Sequence, residues 1–153
     1  MAIDIGSILD GLVSHAQTSG YFDSVNETKV DEPQGASAGI TLGIWADDFG
    51  PIRSSGLNST SLRIVFKARL FSSTEAAPES YLDRAMVDAA GALFAAYSGD
   101  FELGGEARAV DLLGMHGIPL SCNAHYMNLS GIIFRVYDIT IPILVNDAFD
   151  QSA

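Results

Sequence analysis

A chain of 153 residues is about one domain long and large enough to bury a core. With 48% hydrophobic and 18% charged residues, it falls outside the disordered class. Eight bases against nineteen acids give a formal charge of −11, which argues against phosphate-driven nucleic-acid binding.

A negative wall beside DNA would still let it pass without adhering. The low charged fraction also suits a subunit that covers part of its surface in an assembly. The opening MAIDIGSILDGLV carries Asp4 and Asp10 but no base before Lys29, so no secretory signal is expected. Ala89–Tyr97, a weakly polar run, is far short of a bilayer span, and no membrane partner is expected. The sequons at Asn26, Asn58 and Asn128 are therefore chance matches. The single cysteine, Cys122, permits no internal disulfide and fits synthesis in a reducing cytoplasm.

In chain order, Asp4 to Thr18 reads as a first helix. Ile5, Ile8, Leu9, Leu12, Val13 and Ala16 form its stripe, Asp4 its N-cap and Gly20 its left-handed stop. Gly6 and Gly11 weaken it locally, so packing must hold it. Tyr21–Val25 is a short strand candidate, followed by a polar loop over about 26–38. Ile40, Leu42 and Ile44 alternate with Thr41, Gly43 and Trp45 as a second strand. A long loop over about 47–59 follows. Its apolar anchors Phe49, Ile52 and Leu57 either tuck onto their own domain or dock on a partner.

Ser61 to Phe71, SLRIVFKARLF, is the plainest period-two strand. Leu62, Ile64, Phe66, Ala68 and Leu70 lie on one side, and Arg63, Lys67 and Arg69 on the other. That basic row is either a solvated face or a surface that meets an acidic neighbour, such as another copy of the chain. Pro78 opens a second helix running to about Tyr97. Its stripe is Leu82, Ala85, Met86, Ala89, Leu93 and Ala96, broadened by Val87, Ala90 and Phe94. Phe101–Leu103 can begin a strand, Gly104-Gly105 a turn, and Ala107–Leu113 continues extended. Ser121–Met127 and Ile132–Val145 flank the hairpin turn Asn128-Leu129-Ser130-Gly131.

The last strand changes phase between Phe134/Val136 and Ile139/Ile141/Ile143. A β-bulge near Tyr137–Asp138 or a strand covered on both faces would account for it. Pro142 is expected to place the strand's end at an edge. The fold class is thus α/β (α+β). One domain, 1–153, has a mainly antiparallel sheet packed against two helices and ends in a β-hairpin.

No residue set converges on chemistry. His15, His116 and His125 lack zinc spacing, and His15 suits a helix C-terminus. Cys122 and His125, three apart on a strand, point to opposite faces, so Cys122 reads as a small apolar residue. Asp47-Asp48 and Asp31-Glu32 lack the oxygen pattern of a calcium loop. Gly104-Gly105 lacks the companions of a phosphate loop. Neither a catalytic residue nor a cofactor is assigned. Trp45 is either core rim or an interface anchor.

SLRIVFKARLF, then AAPESYLDRAMVDAAGALFAAYSGDF, then GIIFRVYDITIPILVND together resemble the tail terminator (tail completion) proteins of long-tailed bacteriophages. The first two match that family's central strand running into its long helix, and the third its closing strand. The resemblance implies a homohexameric ring at the head-proximal end of the tail tube, assembled in the host cytoplasm and carried in the virion. Such a ring ends tube polymerisation and offers the head-tail joining surface. Its partners would be its own copies, the tail tube protein and a head-completion or connector protein, with DNA passing through the lumen. A ring needs unlike patches that meet. Arg63, Lys67 and Arg69 against Asp83/Asp88 or Glu102/Glu106 form one candidate pair, with Trp45, Phe49 and Leu57 as apolar anchors. Another neck subunit, or a small ligand-binding domain or enzyme, remains the alternative.

Overall fold

The computed structural model describes residues 4–29, 39–52, 59–74, 78–100, 102–105, 107–129 and 131–150. Helix α1 (Ile5–Ser19) and strands β1 (Ser24–Asn26), β2 (Thr41–Pro51) and β3 (Ser59–Ser73) come first. Helix α2 (Glu79–Gly99), β4 (Ala109–Val110), β5 (Ser121–Leu129) and β6 (Ile132–Asp150) follow. The sheet runs β1-β2-β3-β6-β4, with β5 also pairing on β6, and among the described residues only the β1–β2 pair is parallel. The expected class, a mainly antiparallel sheet carrying two helices, is what the chain adopts.

Local chemistry sets the helix ends. Asp4 accepts the Ser7 amide at 3.0 Å and the Ser7 hydroxyl at 2.6 Å, and Gly20 closes α1 in the left-handed conformation at φ 77°. Ile8, Leu12, Val13 and Ala16 of α1 and Met86, Ala89, Leu93 and Tyr97 of α2 bury against one sheet face. That face presents Leu42, Ile44, Ile64, Phe66, Ala68, Leu70, Ile139, Ile141 and Ile143. The buried Tyr97 hydroxyl donates to the Leu12 carbonyl at 3.0 Å and ties the helices together. His15 is not a helix-end cap. Its Nε2 lies 2.8 Å from Asp100 Oδ2 at the end of α2, and its ring meets Tyr97 edge-on at 6.0 Å.

β3 and β6 pair without a slip from Ser73↔Phe134 to Leu62↔Val145. The phase change in β6 is therefore no bulge at Tyr137–Asp138. Tyr137, Ile139, Ile141 and Ile143 face the helices, while Phe134 and Val136 join Phe71 in a second cluster on the other face. The irregularity falls later, opposite Ser61, where Asp147 takes φ 50° and its amide reaches the Ser61 hydroxyl.

Pro142 is not at an edge either. It pairs with Val65 on one side and accepts the Asp111 amide at 2.9 Å on the other. Since a strand residue's N and C=O point the same way, the missing donor faces the gap between the end of β5 and β4.

Three further expectations shift. The expected loop over 47–59 begins as strand: β2 pairs on to Pro51↔Leu62 after a register shift between Ala46 and Asp48 that loops out Asp47, while 53–58 lie outside the described residues. A strongly β-forming partner overrides the turn-like composition of Asp47-Asp48-Phe49-Gly50. Leu103 starts no strand but opens a tight 3-10 turn, Leu103–Gly105, in which Gly104-Gly105 turns as expected and Asp100 Oδ1 accepts the Gly104 amide at 3.0 Å. Of Ala107–Leu113, only Ala109 and Val110 pair, because Asp111 turns the chain. Most of the loop over 26–38 lies outside the described residues.

Phe66, fully buried at the centre of β3 beneath the helices, carries the packing test. Phe66→Ala should lower unfolding free energy by about 3–5 kcal/mol in urea titration, through lost transfer energy plus the cavity left behind.

Candidate interaction surfaces

Arg63, Lys67 and Arg69 do share the face away from the helices, and Trp45 stands beside them opposite Lys67. Each has a partner inside its own chain. Arg69 reaches both carboxylate oxygens of Asp138, at 2.6 and 3.1 Å, and its guanidinium lies 5.5 Å from the Trp45 ring centroid. His125 Nε2 approaches the same carboxylate at 2.7 Å. Burial pushes the Asp138 carboxyl up, but the hydrogen bonds from Arg69 and His125 outweigh it and hold the group below its usual range. Lys67 donates to Thr140 Oγ1 at 2.8 Å, and Arg63 to the His116 carbonyl at 2.7 Å. The row thus tethers β3 to β6 and to the loop after β4.

The acidic candidates are scattered. Asp83 sits on α2 on the other face, held by Arg135 Nε at 2.7 Å. Asp88 and Glu102 are exposed. Phe49 is 62% exposed on β2, whereas Ile52 is buried, so one anchor tucks in and one does not. Glu106 and Leu57 lie outside the described residues.

Two surfaces escape a pattern-based reading of the sequence. The first is the loop from Asp111 to Leu120. Asp111 is buried, and its two oxygens accept the amides of Met115 and His116, each at 2.9 Å. Gly114 at φ 73° lets the chain fold back onto Pro119 so closely that a Cβ would stand 2.9 Å from the Pro119 nitrogen. Arg63 clamps the other arm through His116. On this braced loop Leu113 is 87% and Met115 85% exposed. The only signal in the chain is Asp111 followed by Gly114 and Gly117, a side-chain-capped turn rather than an extended strand.

The second surface is an open groove of about 350 Å³ on the helix side of the sheet. Val87, Ala90, Gly91 and Phe94 of α2 form one wall; Cys122, Ala124 and Tyr137 form the other. Val87, counted in the helix stripe, is in fact 55% exposed at its rim. Cys122 and His125 point to opposite faces as the strand period requires, and burial with the nearby Asp138 charge pushes the Cys122 thiol up, away from a reactive thiolate. Among the described residues no three His, Cys, Asp or Glu side chains converge as a metal site needs, and no helix is long and apolar enough to cross a membrane.

No known family and no curated protein matches the chain by sequence. Among solved structures, it is similar to the sheath/tube terminator, in the extended state, of an extracellular contractile injection system termed PVC. The identity is 12% and the TM-score 0.42, over 100% of this chain and 60% of that one. The chain thus spans 60% of the length of that neighbour.

The Asp138 cluster has a definite pH signature. A depressed carboxyl contributes stability that is complete above its unfolded pKa, about 4, and is lost as pH falls through the lower folded value. The stability difference between wild type and Asp138→Asn should shrink as pH falls below about 4. Urea unfolding curves in the acid range measure it; a difference that grows below about pH 4 would contradict the assignment.

Proposed function

We propose that this protein is a structural subunit of a phage-type tail, forming a ring that closes the head-proximal end of the tail tube and presents the head-joining surface. The observation that carries the proposal is the unit built by the three segments that resemble tail terminators. They fold as β3, α2 and β6, with β3 paired along β6 and α2 laid across both. The described ion-pair clusters, Arg69–Asp138–His125, His15–Asp100 and Asp83–Arg135, each join one element to another, as structural pairs do. A homohexamer, tube and connector contacts, and passage of DNA through an acidic lumen complete the proposal. The formal charge of −11 favours such a lumen.

Negative-stain class averages of the purified protein should show closed rings, with six-fold symmetry for the hexamer. Deleting its gene from the particle that carries it should yield tails of uncontrolled length. Normal tails that fail to join heads would instead identify a neck connector. Absence of the protein from purified particles would refute both.

A further inference from the structure

Arg63 is held differently from the other arginine in its row. Arg69 sets Nε and Nη2 side by side against Asp138, at 2.6 and 3.1 Å, so a planar carboxylate satisfies one edge of its guanidinium. Arg63 commits Nη1 to the His116 carbonyl at 2.7 Å, a neutral acceptor. Its Nε is buried without a hydrogen-bond partner, and among the described residues no carboxylate pairs with its charge. A half-buried guanidinium with an idle donor and no counter-ion is costly, because buried charge is tolerated when it is paired and hydrogen-bonded.

The same side chain lines a cavity of about 420 Å³ between the end of β2 and the loop after β4. Pro51, Ile52 and Met115 supply apolar walls, and Arg63, His116 and Gly117 the polar part. No acid is among these residues. Asp111 keeps its charge, but it lines the neighbouring cavity with Arg108 and accepts the amides of Met115 and His116. Apolar walls around a few polar groups, in a volume of this size, are the makings of a small-molecule site. We propose that the cavity binds a small organic carboxylate, with its oxygens on the Nε/Nη2 edge of Arg63 and its apolar body against Pro51, Ile52 and Met115. The site does not depend on the ring proposed above.

Three features select this chemistry. With Nη1 fixed to the His116 carbonyl, the edge left for an occupant is the one that Arg69 gives to Asp138. Two parallel N–H donors match the two oxygens of a carboxylate. Gly117, at φ 114°, seats the loop so close that a Cβ there would stand 3.0 Å from Arg63 Nη1, so the guanidinium is oriented before anything binds. The apolar walls, finally, favour an organic anion over a small, strongly hydrated one.

The Nε–H of Arg63 supplies the test. Shielded from solvent, it should give a resolved nitrogen–proton correlation by NMR, assigned through its loss in Arg63→Lys. Sodium benzoate titrated into the full chain should move that correlation downfield and saturate it, with half-saturation on the order of millimolar. Arg63→Lys keeps the charge but loses the fork, and should weaken benzoate binding, read at the Met115 amide, by about tenfold. Neutral benzamide should leave the wild-type correlation in place. A wild-type correlation that stays put up to about 50 mM benzoate would overturn the site. An equal shift with sodium chloride at the same ionic strength would reduce the effect to screening and overturn it too. A larger response to inorganic phosphate than to benzoate would overturn the carboxylate assignment.

Discussion

The antiparallel ladder from Ser73↔Phe134 to Leu62↔Val145 is the constraint on which the molecule depends. Side chains alternate across a strand, so a one-residue slip between β3 and β6 would exchange their two faces. The helix-facing set, Ile64, Phe66 and Ala68 opposite Ile143, Ile141 and Ile139, would go to the wrong side. Correct register places Arg69 against Asp138 and Lys67 against Thr140 on the reverse face. The polar pairs therefore act as register locks: a slipped ladder would leave half-buried charges unpaired, which costs more than the pairs add when satisfied.

The same ladder explains why β6 is long and apolar on both faces. Near its start, Phe134 and Val136 complete a small cluster with Phe71, while Tyr137 and the isoleucines beyond it serve the helices. At Pro142 the outer side of β6 lacks a donor, and the neighbouring strand breaks there into β5 and β4. The intervening chain becomes the Asp111–Leu120 loop. The interruption that Pro142 imposes on sheet pairing lies beside the most exposed apolar side chains of the described protein, Leu113 and Met115.

Strand and helix identity was legible wherever periodicity was strong. Both helices, their limiting Asp4 and Gly20, the inward set of β3, and the β5–β6 hairpin all follow from local pattern and turn chemistry. Features set by partners distant in the chain were not legible. The composition of Asp47–Pro51 favours a turn, yet Ile64 and its neighbours draw it into a ladder. Arg69 reads as a free cation until Asp138, 69 residues away, is placed against it. The groove joins α2 to β5, and nothing in either segment announces that Val87 stays uncovered while Ala90 is buried. The basic row was visible as a row; its engagement within the chain required the fold.

That engagement changes where an interface can lie. A cation already bonded to a half-buried carboxylate has little left to offer a neighbour, and moving it would strand its partner. Apolar groups carry no such obligation. Leu113, Met115 and the groove walls lose nothing but water when covered, and area removed from water is the general source of association energy. In a chain of net charge −11, copies repel one another at long range, with salt shortening the reach of that repulsion. Any contact between copies would then have to come from short-range apolar fit where local charge is least repulsive.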